Sequence, residues 1–477
     1  MKRIIFLSIF VFSCMNVNFG NSSKSCPSTW NIIFYIAADN DLNKHGFNTV
    51  QTSAEGYLKN PNINVFFMCD GISTENFNYK VKNEASYYKL EKGSLVKLEH
   101  KGVIDSGSLS SFTSFIDFIS DNYGNADHTA LFLWGHGSNI ALLEHRQDNQ
   151  AFPKRFARDN QGIFLGDFNP SKFDRNYKQG LSFNELIEAL KYVSNKLKDK
   201  KIDILGLDAC TLMKVEIAYE IKDYVHYLVA SQIKQNALSW NYKDVLNYLS
   251  KNLSITPLEL VNKIILSYRY FYEFEIYNSH YNTQELKNNR RNDAISALDL
   301  TAMERFHAAF ENYIEYLIKF LKKCPSELKE QFISDFRGKF INSFTQWEYG
   351  NILKGSIIIE FIVQEEIDKI LNGEVVKQNF SNHLNFLDLK GMMKLIYQWF
   401  IQKASTELDN FSFFHNKAYE EFKRLVILNY NREKKENLKG LSIRYTYRTN
   451  EEYVKYLFGN KQWTTFLKLV NDIPLNE

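Results

Sequence analysis

Five short runs of apolar residues, alternating with helical patterns, constrain this chain more than any other feature. They are Asn31–Ala37 (NIIFYIA), Asn64–Met68 (NVFFM), Ala130–Trp134 (ALFLW), Ile202–Leu207 (IDILGL) and Tyr227–Ala230. Nearly every position in them is apolar, which suits strands buried on both faces and hence a parallel sheet. Between them, Phe112, Phe115, Ile116 and Ile119 recur at helical spacing. Ser182 and Glu185 form a capping box ahead of Leu186, Ile187, Leu190 and Val193, the apolar stripe of a second helix. The alternation predicts an α/β fold, a mostly parallel sheet with helices on both faces.

Beyond about residue 250 the pattern changes. Pro257–Tyr272, Thr301–Leu321 and Leu387–Ala404 read as helices, with strand-like runs at Gly355–Val363 and Leu441–Tyr445. The expected organisation is an α/β unit over 28–250. A mainly helical region over 251–477 packs on it and returns a strand to the sheet. Only 7 of the 477 residues are proline, so rigid linkers are scarce and one continuous body is expected.

Residues 1–20 read as an export signal. Lys2 and Arg3 precede the apolar run Ile4–Phe12, too short to span a bilayer but long enough for a signal core. Val11-Phe12-Ser13-Cys14 resembles a lipobox, so the alternatives are a lipid anchor at Cys14 or ordinary cleavage near Gly20. The expectation is an exported protein: secreted, periplasmic or lipid-anchored at a bacterial surface, without a membrane span. Lys+Arg total 58 against Asp+Glu 55, a net charge of +3, so no nucleic-acid partner is expected. Cys26, Cys69, Cys210 and Cys324 are scattered, with no C-x-x-C pair, which excludes a disulfide framework and a Cys-rich zinc site. Asp39-Asn40-Asp41-Leu42-Asn43 begins like a calcium loop, but Lys44 and Val50 stand where Gly and Glu are needed. No cofactor or metal is therefore expected from a motif.

Ligands and catalytic groups of open α/β sheets gather beyond the carboxyl ends of the strands. The third run leads into Gly135-His136-Gly137-Ser138, and the fourth into Asp208-Ala209-Cys210. An imidazole and a thiol at one sheet edge are what a cysteine nucleophile with a general base requires. The amides of Gly137 and Cys210 could hold a developing oxyanion. By residue type alone, a Cys after a strand is more often a small buried hydrophobe and a strand-end His more often a satisfied polar residue. Cys69 also ends a strand-like run, without a Gly-His-Gly beside it.

The motifs WGHGS and DACTLM resemble those of the clostripain family of cysteine peptidases, whose fold is caspase-like. Trp30–Leu42, Val215–Glu220, Asp293–Leu300, Gly440–Ile443 and Trp463–Leu467 extend the likeness over roughly residues 29–470. The resemblance implies that His136 is the general base and Cys210 the nucleophile of an endopeptidase acting on proteins or peptides. It implies that Asp208 lines the S1 pocket and favours Arg or Lys, and that Trp240 forms a pocket wall. Some relatives use calcium, which this sequence neither requires nor excludes. The family commonly has an acid after the fifth strand and then Gly-Trp-x-Tyr; here Ser231-Gln232-Ile233 and Ser239-Trp240-Asn241-Tyr242 stand instead. Relatives also mature by cutting themselves between His and Cys. Residues 145–180 lack apolar periodicity and far exceed the usual loop of about 4–6 residues. They carry Lys154, Arg155 and Arg158 as candidate cleavage sites. The rival expectation is a catalytically weak or silent surface relative that binds peptides or partner proteins.

Overall fold

Each of the five apolar runs forms a strand: β1 (Trp30–Ala37), β2 (Ile63–Asp70), β5 (His128–Trp134), β6 (Ile202–Asp208) and β7 (Val225–Ala230). The computed structural model describes residues 28–39, 42–71, 84–91, 93–137, 181, 183–233, 235–236, 238–275, 294–336, 385–431, 439–445 and 461–470. Four further strands join the same sheet: β3 (Ala85–Glu91), β4 (Ser94–Gly102), β8 (Ala294–Asp299) and β10 (Val426–Asn431). Among the described residues the order is β10-β8-β7-β6-β5-β1-β2-β3-β4. The central five strands run parallel, and antiparallel pairs close both flanks.

The apolar runs are explained by two cores, one on each face of the sheet. Ile33, Tyr35, Leu131, Leu133, Leu205 and Leu207 point to one side. Their alternates Ile32, Phe34, Ala130, Phe132 and Ile204 point to the other, as the two-residue period of a strand requires. The second face is covered by α1 (Asn43–Gly56), α5 (Tyr242–Lys251) and α6 (Pro257–Tyr270). At the start of α6 the Thr256 side chain and Glu259 cap each other's backbone amides with Pro257 in the first turn, so its position is set locally. The first face carries α2 (Leu109–Tyr123), α3 (Phe183–Lys196) and α4 (Val215–Ile221). Packed with them are the helices from the later part of the chain: α7 (Met303–Lys323), α8 (Ser326–Asp335), α9 (Leu389–Lys403), α10 (Leu408–Leu425) and α11 (Lys461–Val470).

Among the described residues the helical C-terminal region does return strands to the sheet, but not through the strand-like run Leu441–Tyr445. The strands that join are β8 and β10; β10 follows α10 directly, with no glycine or proline between them to mark the change. Ser442–Tyr445 forms β11, which pairs with β9 (Asn385–Asp388) in a separate two-stranded sheet. Gly355–Val363 lies outside the described residues. Among the described residues no helix is long and apolar enough to cross a membrane.

Close packing behind the sheet centre depends on Gly206 of β6. A Cβ there would stand 2.3 Å from Phe132 Cδ1 and 3.0 Å from Trp240 Cζ3. Gly206→Val is expected to cost about 1–3 kcal/mol through overpacking. The expected readout is a lower Tm by near-ultraviolet circular dichroism, with an altered tryptophan signal.

Candidate active site

The site begins with the register of two neighbouring parallel strands. Trp134 of β5 is paired with Asp208 of β6, and the Gly135 N–H donates to the Asp208 carbonyl at 3.4 Å. The chain segments that follow, Gly135-His136-Gly137 and Ala209-Cys210, therefore leave the sheet side by side. At Gly137 the contact is backbone against backbone: a Cβ would lie 2.4 Å from the Cys210 carbonyl oxygen and 2.7 Å from its nitrogen. Only glycine fits. His136 and Cys210 are both partly exposed, and Cys210 is in no disulfide.

The turn after Cys210 is strained and firmly held. Thr211 adopts φ 60°, a left-handed conformation that a β-branched residue rarely takes. Such strain persists where surrounding bonds over-determine it. Here the Thr211 N–H donates to the Ile233 carbonyl at 3.0 Å, and the Met213 N–H to the Ser231 carbonyl at 2.8 Å. The Gln235 N–H points at Cys210 Sγ, 3.4 Å away. Gln235 also accepts from the Trp240 indole N–H at 3.0 Å.

Asp208 ends β6 on the side of Gly206 and is 4% exposed. Its Oδ2 accepts from the Ser239 hydroxyl, from the Tyr242 hydroxyl at 3.0 Å and from the Trp240 N–H at 3.4 Å. Burial pushes the carboxyl up to about 7, against the opposing pull of these three donors. Burial also holds the Tyr242 phenol well above its usual range, with the Asp208 charge adding to the effect, so it serves as a donor. Trp240, 4% exposed, meets Phe132 edge-on with centroids 6.1 Å apart.

A second buried carboxylate ties this region to the later chain. Gln232, just past β7, donates from Nε2 to Asp388 Oδ2 at 3.1 Å and to the Ser442 hydroxyl at 2.8 Å. Its Oε1 accepts from the Gly440 N–H at 2.7 Å. Asp388 caps α9 through the Gly391 N–H at 2.7 Å and also accepts from the Lys439 N–H at 2.7 Å. Burial raises its carboxyl to about 6.

The structure thus places Gly137 against Cys210 where β5 and β6 end, with His136 next to Gly137 in the chain, Asp208 at the end of β6 and Trp240 bonded to Asp208 through its N–H. Lys154, Arg155 and Arg158 lie outside the described residues, as do Cys14, the signal segment and Asn40–Asp41. Among the described residues no group of three or more His, Cys, Asp or Glu could hold a metal ion. Sequence reasoning did not foresee the roles of Ser239 and Tyr242 on Asp208, although both sit in the motif already singled out. Asp388 gave only the signal of a helix N-cap.

A sequence profile described as the clostripain family matches residues 34–473. Clostripain from Hathewaya histolytica is 25% identical over 217 residues, which cover 42% of this chain and 37% of that protein. This match therefore spans little more than a third of clostripain's own length. Among solved structures, a secreted C11 cysteine protease from Bacteroides thetaiotaomicron, bound to an irreversible peptide inhibitor, aligns with a TM-score of 0.55 at 14% identity. That alignment covers 92% of this chain and 98% of the other. An inactive zymogen C11 protease from Parabacteroides distasonis aligns with a TM-score of 0.51 at 16% identity, covering 94% and 99%. The fold is thus shared with C11 proteases, and the profile spans nearly the whole chain: this protein belongs to the clostripain family.

Proposed function

We propose that the chain is an exported cysteine endopeptidase that cleaves proteins or peptides after Arg or Lys, with Cys210 as nucleophile and His136 as general base. The observation that carries this reading is the glycine contact at Gly137, whose backbone lies against that of Cys210 with no room for a Cβ. That contact fixes the residue next to the imidazole against the residue that bears the thiol. His136 takes the Cys210 proton as the sulfur attacks the scissile carbonyl. The oxyanion that forms is met by the amides of Gly137 and Cys210, the preorganised donors such a step needs. The proton returns from His136 to the departing amine, leaving a thioester that water hydrolyses by the same base.

Asp208 forms the floor of S1 in this reading, with Trp240 backing it. A carboxylate there selects a cationic side chain by charge-assisted hydrogen bonding. The export signal over residues 1–20 and the family relationship support action outside the cytoplasm. Self-cleavage after Lys154, Arg155 or Arg158 completes the proposal. It would separate a light chain carrying His136 from a heavy chain that begins no later than Asp159 and carries Cys210.

Three outcomes follow. Cys210→Ala and His136→Ala are each expected to lower turnover of a basic-P1 peptide by on the order of 10³-fold or more, because the two act as one unit. Covalent labelling by a peptidyl acyloxymethyl ketone should vanish in Cys210→Ala. Retained labelling there would exclude this thiol, and an unlabelled, inert wild type would favour the peptide-binding alternative.

The second outcome concerns pH. Asp208 gains its charge as pH rises through about 7, while Tyr242 stays protonated. The ratio of kcat/KM for a basic over a neutral P1 residue should therefore rise from pH 5.5 to pH 8, by about tenfold for a contact worth 1.4 kcal/mol. The ratio cancels the titration of the nucleophile and base. A flat ratio would remove Asp208 from the specificity pocket.

Third, mass spectrometry of purified wild type should find two chains cut after Lys154, Arg155 or Arg158, with Cys210→Ala intact. A fully active, uncut wild type would rule out that activation step.

A further inference from the structure

Ser239 is a serine in a place that asks for glycine. Its φ is 67°, in the left-handed region where a side chain is strained. It is held there by its N–H to the Asn236 carbonyl at 3.1 Å and by the Tyr272 hydroxyl on its own carbonyl at 2.9 Å. What the strained residue contributes is its hydroxyl, which donates to Asp208 Oδ2. That oxygen also receives Tyr242 and the Trp240 amide. The Ser239 and Tyr242 hydroxyls take the two lone pairs of that oxygen, and the Trp240 amide is a longer third contact at 3.4 Å. Among the described residues, no hydrogen bond goes to Oδ1.

We propose that Ser239 is a specificity-determining residue that biases the S1 pocket toward lysine over arginine, by occupying Asp208 Oδ2 and leaving one oxygen for the substrate's cation. The inference rests on Asp208 being the floor of S1. A guanidinium gains most from a carboxylate by binding both oxygens with its fork, whereas an ammonium is a point charge that one oxygen satisfies. At a carboxyl only 4% exposed, there is little room for a fork to displace three resident donors. Lysine therefore loses nothing to Ser239, and arginine loses its second bond.

The test compares kcat/KM for matched peptides ending in Lys, Arg or a neutral residue, in wild type, Ser239→Gly, Ser239→Ala and Asp208→Asn. Wild type should favour Lys. Both Ser239 variants should shift the ratio toward Arg by about fivefold or more, the size expected for freeing one charge-assisted acceptor. Ser239→Gly relieves the left-handed backbone, and circular dichroism and Tm confirm that each variant is folded, so an unmoved ratio in a folded variant counts against the inference. A wild type that favours Arg overturns the inference, as does a Lys-to-Arg ratio unmoved by both Ser239 variants while Asp208→Asn abolishes the basic preference. That second result would leave Ser239 as a structural partner of a working S1 carboxylate. If Asp208→Asn keeps the wild-type profile, the S1 reading itself fails and this inference falls with it.

Discussion

The lateral pairing of β5 with β6 is the interaction on which the rest depends. These strands are far apart in sequence, yet the register that sets Trp134 beside Asp208 decides which residues leave the sheet together. A slip of one residue would exchange the faces of a strand and turn its core side chains outward. Here both faces are buried, so a slip is costly on either side and the register is strongly specified. The sheet thereby delivers Gly137 to the backbone of Cys210.

The strands and the His and Cys motifs were legible in the sequence because their causes are local. A strand covered on both faces must be apolar throughout, and Phe34 beside Ile33 and Tyr35 reads that way directly. The hairpin of β3 and β4 was not legible, since β4 is largely solvent-facing and its residues, such as Lys97, Glu99 and Lys101, carry no apolar run. β8 and β10 escaped notice for a different reason: β8 carries small residues, Ala294, Ser296 and Ala297, in place of a bulky apolar run, and β10 begins where a helix stops. At the site, His136 and Cys210 stood out through their flanking residues. The bond between Gln232 and Asp388 links positions 156 apart, and no spacing rule reaches that far.

Asp208 shows two demands pulling against each other. Removing a carboxylate from water disfavours its charge, and the S1 floor we propose would have to be out of water to be selective. The donors from Ser239, Trp240 and Tyr242 recover part of that loss and hold the group at a pKa of about 7 rather than higher. Each donor that keeps the carboxylate ionised also uses capacity that a substrate would otherwise take. Charge and availability are thus set by the same three bonds.

The sheet draws its strands from both sides of residue 250, and this bears on how the protein can be handled. β7 is covered along one edge by β8, which is in turn covered by β10. A fragment ending near residue 250 would strip both away. It would present VHYLVA as a bare edge, with a row of unpaired amides and carbonyls and without α6 over its face. Natural sheets shield such edges with charge, proline or a covering element; β7 has none of these, because in the whole chain it is an interior strand. The fragment would meet its missing neighbour in another copy of itself, and aggregation would replace folding.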